Sequence, residues 1–257
     1  MSNNLKYLHA VEEDMLKSPQ VIVPMLLKLL QPSSVVDVGC GLGAFLHVFQ
    51  QNGIENILGI DGEWVDRSQL LIPADKFLVT DLEHKIRVAQ KFDLVVSLEV
   101  GEHLADNAAE VFVESLTSLG DVIVFSAALP HQRGQNHINE QSFSYWVKKF
   151  AEKGFHVHDI FRPYWWNDTR VAWCYRQNMF LFVKKSVGPI KFIEPNAGFA
   201  NINDYIHPEL FEIYVRHRTV LEGRLAKIME GRANGRVYFQ FLTKFLKRKI
   251  FGKKSIN

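Results

Sequence analysis

Val35-Val36-Asp37-Val38-Gly39-Cys40-Gly41-Leu42-Gly43 decides the fold. The apolar run broken only by Asp37 reads as a buried strand, the alternate glycines as a tight turn, and Ala44 onward as a helix. Such a junction aims bare backbone N–H groups and a helix N-terminus at an anionic or carboxylate-bearing ligand. Glycine keeps side chains out of that approach and tolerates positive φ. The stretch therefore predicts a nucleotide-like cofactor site and leaves open which cofactor it takes.

Working outward, strands and helices alternate. The helix Ala44–Gln51 is followed by strands at Asn56–Ile60, closed by Asp61, and at Lys76–Thr80, closed by Asp81. Phe92–Ser97 reads as the fourth strand, Asn107–Ser118 as a helix, and Asp121–Ser126 as the fifth strand. A helix over Glu140–Glu152 stops at Gly154. Strands at His156–Phe161 and Met179–Lys184 complete the set, with an aromatic loop, Arg162–Asn178, between them. Short apolar strands alternating with helices imply a parallel sheet covered on both faces, with the last two strands as an antiparallel edge hairpin. Before the first strand, Leu5, Leu8, Val11 and Met15 have helical spacing, and Val21–Leu30 is a second apolar segment in which Pro24 starts or kinks a helix.

The 257 residues and 47% hydrophobic content suit one sizeable α/β domain with an appendage. A net charge of +2 argues against a protein built to coat nucleic acid. Cys40 and Cys174, the only two cysteines, suggest neither a disulfide framework nor a zinc motif. No N-terminal signal peptide is evident, and no apolar run reaches the ~18 residues of a membrane span, so a cytoplasmic location is expected.

Gly39-x-Gly41-x-x-Ala44 with Asp61 also fits a loose dinucleotide fingerprint. Three features tip the balance away from it. Asp37 sits inside the strand, where dinucleotide sites favour an apolar residue; Asp81-Leu82 follows the third strand; and the fourth strand continues as Phe92-Asp93…Glu99-x-x-Glu102-His103-Leu104. Together, over about Val35–Lys185, these motifs resemble the class I S-adenosylmethionine-dependent methyltransferases. The resemblance implies an α/β, Rossmann-like seven-stranded sheet of order 3-2-1-4-5-7-6 with strand 7 antiparallel. It implies that Asp37 orients the cofactor amino group, that Gly39, Gly41 and Gly43 let the backbone approach the methionine portion, and that Asp61 takes the ribose hydroxyls. It assigns adenine to Asp81 and Leu82, and places Glu99 where cofactor and acceptor meet. Trp64, where relatives carry an aliphatic residue, is left open as a stacking partner for the base.

A hydroxyl acceptor needs a general base, and His137, in the loop after the fifth strand, is the favoured catalytic residue. Asn136 and Asn139 are expected to orient substrate or imidazole. His137 equally reads as a cap of the helix near Glu140 or as a solvent-facing side chain, and His131 is a weaker alternative. Glu99, Glu102, His103 and His137 also resemble the divalent-metal sets of some ubiquinone-pathway and small-RNA methyltransferases; a magnesium or manganese ion is an option here, and no metal ligand is assigned.

The layout His-x-Asn-Glu, followed by the loop Trp165-Trp166…Gln177-Asn178, resembles methyltransferases of bacterial polysaccharide and glycoconjugate pathways. That implies O-methylation of a sugar, nucleotide-sugar or glycan; other small molecules, RNA, or an inactive cofactor-binding scaffold remain alternatives. The adjacent Trp165 and Trp166, read as strand residues with opposite faces, predict at least one exposed ring. Residues 1–185 are expected to form the methyltransferase domain, and 186–257 a linker and helical extension. In the extension Pro208–Met229 reads as a helix and Val237–Lys254 as a basic amphipathic helix, suited to peripheral contact with the inner face of a membrane, to packing on its own domain, or to a dimer partner.

Overall fold

The computed structural model describes residues 15–187 and 206–251. The apolar set Leu5–Val11, most of the Gly/Pro segment Ser186–Ala200, and the basic residues past 251 lie outside the described residues. The described chain falls into two compact units, the first ending at His207 and the second beginning at Pro208.

The first unit runs α1 (Lys17–Leu30), β1 (Ser34–Val38), α2 (Ala44–Gln51), β2 (Asn56–Asp61), β3 (Phe77–Val79), β4 (Leu94–Leu98), α3 (Ala109–Leu119), β5 (Val122–Ser126), α4 (Phe143–Glu152), β6 (Phe155–His158), α5 (Arg162–Trp165), α6 (Trp173–Asn178) and β7 (Phe180–Lys184). The strands form one seven-stranded sheet of order β3-β2-β1-β4-β5-β7-β6. Pairing is parallel from β3 to β5, and β7 runs antiparallel to both β5 and β6. The expected architecture is therefore the observed one.

Strand side chains alternate between two cores because their period is two. Val36, Val95, Phe125 and Phe182 face one cluster with Phe112, Leu116 and Trp146 of α3 and α4. Val35, Val96, Val124 and Leu181 face the other, with Ile22, Leu26, Leu46 and Phe49 of α1 and α2. Phe150 stacks on Phe182 with centroids 4.0 Å apart; burying such a side chain contributes roughly 1.5–3 kcal/mol. Both faces of the sheet are thus sealed, and its polar business is left to the strand ends.

Three local departures from expectation have physical causes. Helix α1 runs through Pro24 rather than restarting there. Pro24 and Gln20 face solvent, so the carbonyl that loses its donor meets water, while Ile22, Val23 and Leu26 bury the opposite face. Strand β6 stops at His158, because Asp159 accepts the Arg162 guanidinium (Nε, 2.8 Å) and turns the chain into α5. Helix α4 starts at Phe143, not Glu140, because the Glu140 carboxylate is engaged in the preceding loop.

The second unit pairs α7 (Pro208–Met229) with α8 (Gly235–Phe251). The turn between them has Gly231 at a φ of 71°. Tyr238 closes it by donating its hydroxyl to the Ile228 carbonyl at 2.9 Å.

Candidate active site

A cavity of about 420 Å³ opens at the carboxyl ends of β1, β2 and β4. Asp37, Gly39, Gly41, Asp61, Leu82 and Glu99, all expected site residues, line it. Gly39 has a φ of 82°, and a Cβ there would lie 2.3 Å from Cγ2 of Val100, so both conformation and packing demand glycine. Gly43 caps α2 behind the wall, against Ile72, and does not line the cavity.

Asp61 ties the glycine loop to its own turn. Its carboxylate accepts the Gly41 N–H at 2.7 Å and the Gly62 N–H at 2.6 Å. Asp37 lies beside it, and its pKa is pushed up to about 8 by burial and then by the Asp61 charge. Two buried acids side by side favour a cationic or hydroxyl-rich ligand. Trp64 lies on the cavity rim with its ring flat over Gly62, where a Cβ would sit 2.2 Å from the indole. Leu82 faces the cavity but Asp81 does not: its carboxylate accepts the Glu83 N–H (3.0 Å) and pairs with His84 (2.9 Å) at the surface.

The β4 side is built differently. Glu99 closes the strand with a φ of 55°, a conformation rare for a side-chain-bearing residue and one that marks functional strain. Its carboxylate accepts Gln132 Nε2 at 2.8 Å and Asn178 Nδ2 at 3.1 Å, and Asn178 also donates to Gln132 Oε1 at 2.9 Å. Burial raises the Glu99 pKa, against the opposing pull of Asn178, Ser126 and Gln132. Glu102 is fully buried, and neither of its oxygens has a hydrogen-bond partner. Burial first, then the Glu99 and Glu140 charges, hold its pKa well above the usual carboxylate range.

His137 does not line the cavity; His103 does, and the two rings meet edge to face at 4.9 Å. His137 Nδ1 lies 2.9 Å from Glu140, and its Nε2 lies 4.0 Å from Glu102 Oε1, beyond hydrogen-bond reach. The Glu140 carboxylate also accepts the backbone N–H groups of His131 and Arg133, winding a loop in which His131, Arg133 and Asn136 all have positive φ. The imidazole is therefore oriented by Glu140. Asn139 uses its side-chain oxygen on Gln141 and its N–H on the Glu102 carbonyl.

The aromatic loop departs most from its sequence reading. It folds into α5 and α6, so Trp165 and Trp166 are helical neighbours ~100° apart rather than opposed strand residues. Trp165 is buried, stacked on Phe161 at 5.3 Å, and Trp166 is half-buried. Of the aromatic side chains in this segment only Tyr164 is exposed, at 72%. From this segment Tyr175 reaches the cavity wall, edge-on to Phe45, and Asn178 reaches Glu99. Gln132 carried no sequence signal; only the fold brings it to Glu99.

Donor atoms of Glu102, His103 and His137 all lie within 4.8 Å of one another. A buried carboxylate with no hydrogen-bond partner beside two imidazoles fits a divalent cation of intermediate softness.

Residues 7–160 match the family model described as methyltransferase domain. Among solved structures, DesVI of Streptomyces venezuelae aligns with a TM-score of 0.52 and 15% identity, over 67% of this chain and 92% of that one. Two further similar structures are magnesium protoporphyrin IX methyltransferase of Synechocystis PCC 6803 with bound SAH (TM-score 0.46, 18% identity, 69% of this chain and 89% of that one) and SAM-bound CalS10 of Micromonospora echinaspora, an amino pentose methyltransferase (0.47, 13%, 68% and 92%). No curated protein sequence matches the chain.

Proposed function

The chain belongs to the methyltransferase-domain family, with S-adenosylmethionine as its cofactor, and on that premise we propose that it methylates a hydroxyl oxygen of a sugar, nucleotide-sugar or glycan in polysaccharide or glycoconjugate assembly. The observation that carries the oxygen assignment is the His137–Glu140 contact next to His103 on the cavity wall. An imidazole that donates Nδ1–H to a carboxylate presents Nε2 as a base. The sulfonium methyl is already activated, so the protein must align the nucleophile and remove one proton. When bound, S-adenosylmethionine would supply an activated methyl to the acceptor oxygen and leave as S-adenosylhomocysteine, and His137 Nε2, standing behind the cavity wall that His103 forms, would take the hydroxyl proton from an acceptor that reaches past His103.

In this reading Asp37 takes the cofactor ammonium, Gly39 and Gly41 pass their backbone along the methionine portion, and Gly43 sets the turn. Asp61 accepts from the ribose hydroxyls. Leu82 and Trp64 flank adenine, and Asp81 exchanges His84 for the adenine amino group. Glu99 receives the cofactor backbone at the junction with the acceptor. Tyr175 and the His103 ring offer faces for the C–H surface of a sugar. Residues 1–185 carry this chemistry, and 186–257 are a linker and helical extension. The decisive assay incubates the protein with S-adenosylmethionine and a panel of sugars, nucleotide-sugars and small-molecule amines, and reads the mass gain of one methyl for one hydrogen. Gain on an amine alone overturns the oxygen assignment.

A second reading is favoured by the bare Glu102 carboxylate: Glu102, His103 and His137 would hold a divalent ion, and two imidazoles suit manganese better than magnesium. When bound, such an ion supplies Lewis acidity that lowers a hydroxyl pKa. Elemental analysis of the purified protein and turnover after exhaustive chelation separate the two readings. Activity unaffected by chelation leaves His137 as the base.

A further inference from the structure

The C-terminal unit carries a surface that the methyltransferase reading does not use. In α8 the side chains of Phe239, Phe241, Leu242 and Phe245 are 66%, 59%, 55% and 56% exposed. At ~100° per residue these four share one half of the helix, with Arg236 and Lys244 on the other half. The sequence from Gly235 to Asn257 holds seven Lys or Arg residues and no Asp or Glu. The α7–α8 turn pinned by Tyr238 leaves this face turned outward.

The charge pattern selects the occupant. A second copy meeting this face about a two-fold axis would set basic flank against basic flank with no acid to match. A bilayer bearing anionic headgroups matches both halves: its acyl boundary accepts the aromatic face, and its phosphates meet the basic flank. We propose that α8 lies on an anionic lipid surface, with Phe239, Leu242 and Phe245 inserted at the headgroup boundary and Lys244 at phosphate level.

Flotation of the full-length protein with phosphatidylglycerol vesicles and, separately, with phosphatidylcholine vesicles tests this. The protein should float with the first, remain below with the second, and be released by salt. The double variant Phe239→Asp/Phe245→Asp should lower the floated fraction about tenfold or more. Its helix content by circular dichroism and its S-adenosylmethionine affinity should stay at wild-type values. The double variant Lys244→Glu/Lys247→Glu leaves the apolar face intact and should also weaken flotation with phosphatidylglycerol. Wild-type protein left at the bottom of the gradient with phosphatidylglycerol overturns the proposal, as does equal flotation of the Phe239→Asp/Phe245→Asp variant. A dimer in sedimentation that this variant splits, without any flotation, assigns the face to a second copy and overturns it too.

Discussion

The two sides of the cavity each bury a pair of acids, and they do so in opposite ways. At the β1–β2 side, Asp61 is held by the backbone N–H groups of Gly41 and Gly62, with Asp37 beside it. At the β4–β5 side, Glu99 is held by the side-chain amides of Gln132 and Asn178, and Glu102 by no hydrogen bond to either oxygen. Backbone donors on a short turn are rigid and need only glycine to reach their acceptor. Side-chain donors come from distant segments and depend on the whole fold to arrive. The first side is suited to fix a constant ligand, while the second brings together groups able to take up or release a proton. If this contrast is right, substitutions at the His137–Glu140 end of the β4–β5 side act on turnover, those on the β1–β2 side act on cofactor affinity, and those around Glu99, where cofactor and acceptor meet, fall between the two.

The largest effect tests that division. Replacing His137 with Gln keeps a polar side chain near Glu140 but removes the base, and turnover should fall by about 10²–10⁴-fold. Calorimetric affinity for S-adenosylmethionine should stay within about twofold of wild type, because His137 does not line the cavity. Equal losses in affinity and turnover would erase the contrast between the two sides.

The next effect sharpens the other half. Asp37 has its pKa raised from 3.8 to about 8 in the ligand-free protein. A cationic ligand favours the ionised carboxylate, so binding below pH 8 must release a proton. Affinity for S-adenosylmethionine should therefore rise with pH by up to about tenfold per unit and level off near pH 8. In Asp37→Asn that slope should vanish, with affinity low and flat. The linked stability has the opposite sense. A carboxyl whose folded pKa is raised contributes stability that is full below its unfolded pKa and is lost as pH climbs to about 8. The unfolding midpoint of the ligand-free protein should fall across that range, and less steeply in Asp37→Asn.

The same contrast explains how much could be read from the sequence. The β1–β2 side was legible because its chemistry is local: strand, alternate glycines and a following acid lie within 27 residues, Val35–Asp61. The seven strands and the edge hairpin were legible from apolar patterning, while their order came from the methyltransferase resemblance. Around Glu99 the sequence could nominate Glu102, His103 and His137, but not the hand that orients them. Glu140 looked like the start of a helix, and its role emerges only from three donors converging on one carboxylate. The aromatic segment misled because a strand rule was applied to residues that fold as short helices beside the ion pair of buried Arg162 with Asp159. Gln132 had no pattern to announce it, since a lone amide in a loop is ordinary until tertiary packing places it.

The smallest effect bears on whether those remote amides matter to the ligand at all. Asn178 donates to Glu99 and to Gln132 Oε1, and it is the strongest influence opposing the burial that raises the Glu99 pKa. In Asn178→Ala, Glu99 keeps Gln132 but loses that opposition, so its pKa should climb further. A lost hydrogen bond is worth about 0.5–1.5 kcal/mol, which limits the loss of cofactor affinity transmitted through Glu99 to at most about 12-fold. A packing defect alone would lower the unfolding temperature without bending the pH dependence of binding. A role in tuning Glu99 should make the affinity loss grow as pH falls, because the carboxyl then protonates sooner. Affinity unchanged at every pH, with a lowered unfolding temperature, would show that the amides only pack the β4–β5 side. The left-handed backbone at Glu99 would then need some other group to justify its strain.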